Sequence, residues 1–186
     1  PLPMPRPAVA VAPQDALLFN DTIARNIEFG QLGSSQQQIE HAATVANLHD
    51  FILSLPDQYN TIVGERGVKL SGGERQRLSI ARAALKEPKI YVFDEATSSL
   101  DSKTEQEILK NLRDLSEHAT TLVIAHRLST IVHAEQIIVL HQGKVAESGA
   151  HSELLQKGGH YAALWEAQNP VSRSADVSTA GAIDPQ

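Results

Sequence analysis

No cysteine occurs in the 186 residues, which excludes a disulfide framework, a thiolate metal site and a cysteine nucleophile. That absence suits a reducing cytosol. Basic residues are also in deficit, with 16 Lys and Arg against 22 Asp and Glu and a formal charge of −6. Such a balance leaves no electrostatic footprint for a polyphosphate backbone, so nucleic acid is not an expected partner. The longest apolar runs, Thr121 to Ala125 and Ile137 to Leu140, fall far short of the roughly 20 residues that span a bilayer. Pro1 to Pro7 alternates proline with other residues and lacks the charged start and apolar stretch of a signal peptide. Residues 1–8 therefore read as an extended, disordered Pro-rich arm. The chain contains no internal repeat.

What is present is ordinary for a globular chain: 41% hydrophobic and 20% charged residues. Its length allows one domain plus a tail, at about 150 residues per domain. A short strand-like run, Val9 to Ala12, is broken by Pro13, Gln14 and Asp15 before Leu17, Leu18 and Phe19. Three helical signals follow: Thr22 to Phe29, a segment opened by the capping box Ser35 and Gln38, and Phe51 to Leu55 stopped by Pro56. Ser71 with Glu74 is another capping box, opening a helix with Leu78, Ala81 and Leu85 on one face and Pro88 beyond its end. Residues 20–86 thus read as a helical subdomain.

The unbroken apolar run Ile90 to Phe93 predicts a parallel strand covered on both faces. Ser102 and Glu105 are expected to cap a helix carrying Ile108, Leu109, Leu112 and Leu115, and Thr120 to Ala125 to form the next buried strand. Strand, helix, strand in this order implies a crossover in an α/β sheet. Gln136 to Leu140 and Lys144 to Glu147 predict a hairpin at the sheet's edge, and helices near Glu153 and over Tyr161 to Gln168 would close the fold. The small polar residues of 169–186 read as a flexible tail.

Asp94 and Glu95 directly follow the apolar run, at the carboxyl end of a parallel strand where open α/β sheets bind ligands. An acidic pair there also serves as a helix cap or salt bridge. In nucleotide hydrolysis, however, an Asp at that place can hold magnesium while its neighbour Glu orients and deprotonates the attacking water. His126 ends the following strand in register with them, although a lone His is more often a surface or satisfied core residue. Leu70, Ser71, Gly72, Gly73 and Glu74 lead into a helix whose bare amides and positive dipole end suit an anion. Alone, that run is a glycine-rich turn with a capped helix.

Taken in order, these residues resemble the ABC transporter ATP-binding domain. Leu70 to Glu74 resembles its signature motif, Ile90 to Glu95 its Walker B strand, and Gln14 its Q-loop glutamine. Ser99, Leu100 and Asp101 resemble the D-loop, and Ala125, His126 and Arg127 the switch histidine. Gly64 to Gly67 resembles the exporter X-loop that touches a membrane domain's coupling helices. The stretch Pro13 to Gly30 is similar to the heavy-metal and mitochondrial half-transporter group.

The resemblance implies an α/β fold of the P-loop NTPase-like kind, with a parallel sheet, a helical subdomain and an edge β-hairpin. Residues 9–168 would be a partial ABC ATP-binding domain. It further implies ATP and magnesium, a second such domain paired head to tail, an exporter's transmembrane domain as partner, and a place on the cytoplasmic face of a membrane. Glu95 would be the base, Asp94 and Gln14 would hold magnesium, and His126 would lie near the γ phosphate. Leu70, Ser71, Gly72, Gly73 and Glu74, with Asp101, would serve nucleotide binding. The sequence departs from the family in one respect: a Gly, four residues, then Gly-Lys-Ser or Gly-Lys-Thr occurs nowhere, so the loop that cradles the β and γ phosphates is missing. The expectation is a domain cut upstream and inactive alone, or a non-catalytic module completing a partner's ATP site in trans. A soluble ABC ATPase of DNA repair or translation fits less well.

The other histidines, His41, His49, His118, His133, His141, His151 and His160, lack metal-ligand pairing and read as surface residues. Arg75 and Arg77 read as a solvated or salt-bridged helix face, and Trp165 with Leu164 and Tyr161 as core.

Overall fold

Three short segments far apart in the chain meet as one parallel sheet. The computed structural model describes residues 8–13, 17–65, 67–95, 100, 102–115 and 119–169, with the backbone alone at 102, 109 and 112–115. Two compact units, Pro1–His126 and Arg127–Gln186, divide the chain. In the first, the order is β1 (Val9–Ala12), β2 (Asp21–Thr22), α1 (Ile23–Glu28), α2 (Gln36–Val45), α3 (His49–Ser54), β3 (Ile62–Val63), α4 (Gly72–Leu85), β4 (Ile90–Asp94), α5 (Ser102–Leu115) and β5 (Thr120–Ile124). The sheet runs β1-β4-β5, all parallel, while β2 and β3 form a small antiparallel pair.

The helices begin where hydroxyl side chains satisfy free amides. The Thr22 hydroxyl accepts from the Arg25 N–H, and complete capping boxes open α2 at Ser35 and α4 at Ser71. Leu78, Ile80, Ala81, Ala84 and Leu85 of α4 are buried against α1, α2 and β1. Gly30 permits the close approach at one corner of this packing, because a methyl there would overlap the Arg82 carbonyl oxygen. Gly30→Ala is expected to lower stability by about 1–3 kcal/mol, the cost of overpacking, measured as a shift in denaturant midpoint.

Several expectations change in three dimensions. Tyr91 and Phe93 of β4 are buried, but Ile90 and Val92 are only half-buried, so its second face is partly covered. β5 is an edge strand among the described residues, and Leu122 and Ile124 are about half exposed (52% and 48%) rather than buried. Ser102 is the first residue of α5 rather than its cap. That helix ties to the end of α2 and the turn after it: Asn111 Nδ2 donates to the Val45 carbonyl (3.2 Å) and Asn47 Nδ2 to Glu107 Oε2 (2.8 Å).

The second unit contains β6 (Ile137–His141), β7 (Lys144–Gly149), α6 (His151–Lys157) and α7 (His160–Gln168). β6 and β7 form a hairpin through Gln142 and Gly143, both at positive φ (50° and 74°), the geometry of a tight two-residue turn. Among the described residues the hairpin forms a two-stranded antiparallel sheet. Leu154 and Tyr161 fill the core with Ile137 and Val139, and Trp165 packs beside them. Leu164 is half exposed rather than core. His49 and His151 are half-buried, not surface: each ring Nδ1 pairs with a tyrosine hydroxyl, Tyr59 at 2.7 Å and Tyr161 at 2.8 Å.

Candidate functional site

The parallel register brings the chemically distinctive residues to one end of the sheet. Ala12 stands beside Phe93, and Asp94 beside Ile124. The chain therefore leaves β1 at Pro13, β4 at Glu95 and β5 at Ala125 on the same side. Asp94 and Glu95 are half-buried and His126 is exposed. Glu95 has a left-handed φ of 48°, a region that branched and ordinary side chains rarely adopt. Its N–H donates to the Ile124 carbonyl at 2.9 Å, which extends the sheet pairing one residue past the strand.

The start of α4 lies open. Ser71 is exposed, and Gly72 and Gly73 are half-buried. Ser71 N–H donates to Glu74 Oε2 (2.6 Å) and Glu74 N–H to the Ser71 hydroxyl (3.3 Å). Glu74 thus spends its carboxylate inside the capping box, leaving the amides of the two glycines as the dipole-assisted donors of this end. Leu70 is buried, and its carbonyl accepts from Arg75 Nη1 at 2.6 Å, so it anchors the approach to the helix. Arg75 is engaged there, and it makes no salt bridge among the described residues. Of the other sequence-derived candidates, Gln14 and Asp101 lie outside the described residues, as do Arg66, Ser99 and His118.

A second feature had no strong sequence signal. Arg82, near the other end of α4, turns its guanidinium onto the segment after β1. Nη1 donates to the Leu17 carbonyl (2.5 Å), Nε to the Asn26 carbonyl (2.6 Å) and Nη2 to Asn26 Oδ1 (2.7 Å). Burial pushes its pKa down to about 10, which still leaves the group charged at neutral pH. Asn26 is fully buried and itself holds both the N–H and the carbonyl of Phe19, each at 3.0 Å. The backbone of 17–19 is therefore fixed while two of its side chains stay out: Leu17 is 80% and Phe19 44% exposed, whereas Leu18 packs against the core. Phe19 lies under Arg82 and against the Phe29 ring, with centroids 4.5 Å apart. Together they line an open cleft of about 360 Å³.

After β3 the Gly67 N–H donates to the Gly64 carbonyl at 3.4 Å. Gly64 sits at φ 109°, and the Val68 N–H donates to the Ile62 carbonyl at 2.9 Å. Only glycine adopts that conformation readily.

Among the described residues, no three His, Asp or Glu side chains converge as a metal cage. Asp94 alone at a strand end is a donor set for a cation that keeps most of its waters and is otherwise held by phosphates, as magnesium is. No helix among the described residues is long and apolar enough to cross a membrane.

The sequence model of the family described as ABC transporter matches residues 2–98. An ATM1-type heavy metal exporter of Novosphingobium aromaticivorans is 52% identical over 175 residues, 94% of this chain and 28% of that protein. The mitochondrial iron-sulfur clusters transporter ABCB7 of Rattus norvegicus is 53% identical over 172 residues, covering 92% of this chain and 23% of its own length. Among solved structures, a bacterial Atm1-family ABC exporter with ATP bound superposes with a TM-score of 0.85 at 51% identity, over 90% of this chain and 29% of the other. The chain spans less than a third of the length of the curated relatives it matches.

Proposed function

Because the chain belongs to the ABC transporter family, we propose that it is part of the nucleotide-binding domain of an exporter that couples ATP binding and hydrolysis to transport across a membrane. The observation that carries this reading is the common strand end: β4 and β5 deliver Asp94, Glu95 and His126 to one side of the sheet, while α4 opens outward at Ser71. Glu95 takes the proton of the attacking water. Asp94, with Gln14, would hold magnesium, which would supply neutralisation of phosphate charge. His126 stands by the terminal phosphate. Gly72 and Gly73 present their amides, and Ser71 its hydroxyl, to a nucleotide held by a second domain facing this one head to tail, with Leu70 and Glu74 fixing that helix start and Asp101 serving nucleotide binding.

The reading also assigns partners and place. Leu17, Phe19 and Phe29 expose apolar surface around the cleft, which suits docking by the membrane domain of the exporter at the cytoplasmic face of the membrane, with Gly64 and Gly67 taking part. Residues 9–168 belong to this nucleotide-binding domain, with 20–86 as its helical part. A second reading starts from the open, fully capped helix start at Ser71. On that reading this chain lends α4 to an intact ATPase subunit and turns over nothing itself. Titrating the chain into such a subunit and following phosphate release separates the two, because only a lending module raises the partner's rate.

Mixed dimers test the head-to-tail arrangement. Ser71→Arg and Glu95→Gln are each expected to silence dimers of the complete gene product. Co-assembling one subunit of each restores hydrolysis, because one site then has an intact Glu95 from one subunit and an intact Ser71 from the other. If both residues act on the same nucleotide within one chain, the mixed dimer stays silent and the arrangement fails.

A further inference from the structure

We propose that Gln76 is a positioning residue that ties the start of α4 to the backbone of Glu95, linking the helix offered to a partner's nucleotide to the base on this chain's own side. The inference rests on the reading of Glu95 and Ser71 given above.

Gln76 occupies a core-facing position of α4, one turn before Ile80 and two before Ala83, and is only 4% exposed. An apolar residue would continue that stripe. A buried carboxamide is costly unless hydrogen-bonded, and here Nε2 donates to the Glu95 carbonyl at 3.5 Å. Glu95 is the residue that needs holding. Its φ of 48° is one that L-residues avoid, and its N–H is fixed from the other side by the Ile124 carbonyl at 2.9 Å. One peptide group is thus held by β5 and the next by α4, and the side chain between them takes its direction from both.

The length of the bond matters. At 3.5 Å it lies at the long end of hydrogen-bond geometry, so a small movement of α4 along or about its axis tightens or breaks it. Gln76 is five residues from Ser71, roughly 7.5 Å along the helix. Load on Ser71 from a nucleotide in the partner's site therefore reaches the Glu95 carbonyl through one rigid turn and a half. Hydrolysis on one side would then depend on occupation of the other.

The test uses the complete gene product with Gln76→Met, which keeps the volume and removes the donor, and Gln76→Glu, which can donate only when protonated. Gln76→Met is expected to lower kcat about fivefold, the equivalent of one net hydrogen bond, with KM for ATP unchanged and the cooperativity of hydrolysis in ATP reduced. Gln76→Glu should lose more at neutral pH and recover as pH falls, adding a limb to the pH-rate profile that neither the parent nor Gln76→Met has. Unchanged kcat and cooperativity overturn the proposal, and so does a parallel loss of kcat, ATP affinity and thermal stability in both variants with identical pH profiles. Glu95→Gln is run alongside. Normal turnover in that variant sinks the reading of Glu95 itself, whereas a silent Glu95→Gln with parent-like Gln76 variants sinks this inference alone.

Discussion

Replacing Glu95 by Gln in the complete gene product is expected to slow ATP turnover by about 10²–10⁴-fold, the usual contribution of a positioned general base. The substitution keeps the shape and the two polar ends of the side chain but removes its capacity to accept a proton from water. Backbone geometry should survive, because the contacts that hold Glu95 are made by its own N–H and carbonyl, to Ile124 and Gln76, and neither involves the carboxylate. ATP-dependent pairing of two domains should therefore persist, since it draws on the Gly72 and Gly73 amides at the start of α4 and on phosphate contacts. Phosphate release at saturating ATP gives the rate, and light scattering with and without ATP gives the pairing. Normal turnover in the variant would remove Glu95 from the chemistry.

Asn26→Ala should destabilise the Pro1–His126 unit by an amount on the order of 3 kcal/mol or more. Asn26 is fully buried and serves five hydrogen-bond contacts at once: its Oδ1 accepts from the Phe19 N–H and from Arg82, and its Nδ2 donates to the carbonyls of Phe19, Asp21 and Thr22. Truncation abandons these buried groups together, and an unsatisfied buried donor or acceptor costs more than a made bond gains. Arg82→Met should have an effect of similar size by freeing the Leu17 and Asn26 carbonyls. Since the two residues share partners, the double variant should lose less than the sum of the singles. Hydrogen exchange of the α1 and α4 amides reads this locally; unchanged protection there would mean that the network does not hold the segment after β1.

Much of the helical part was legible because its signals are local. The capping boxes at Ser35 and Ser71 and the proline at 56 act over three or four residues, and the helices begin and end where those residues stand. The family was legible for a related reason: the signature run and the acidic pair are short motifs in a definite order, and the chain does match the ABC transporter family and relatives of the ATM1 and mitochondrial ABCB7 type. Burial was less legible. The apolar run at 120–125 gives the same pattern whether a strand has two neighbours or one, and β5 has a single bonded neighbour among the described residues.

Gln76 and Arg82 show where local pattern stops. Gln76 could have been noticed as a carboxamide breaking an apolar stripe at helical spacing, but its partner lies 19 residues away on a strand end. Arg82 could not, because exposed and buried arginines look alike in sequence and its partners lie 56 and 65 residues off. Residue order by itself determined the kinds of element, the caps and the chemical identity of the candidate site, since these depend on side chains within a turn or two of one another. Tertiary structure alone decided which strand end faces which, how the Glu95 peptide is held, and that the apolar side chains of Leu17 and Phe19 stay outside while their backbone is locked. Those outcomes depend on contacts between distant segments, whose pairing is set by the summed burial and hydrogen bonding of the whole unit rather than by any local preference.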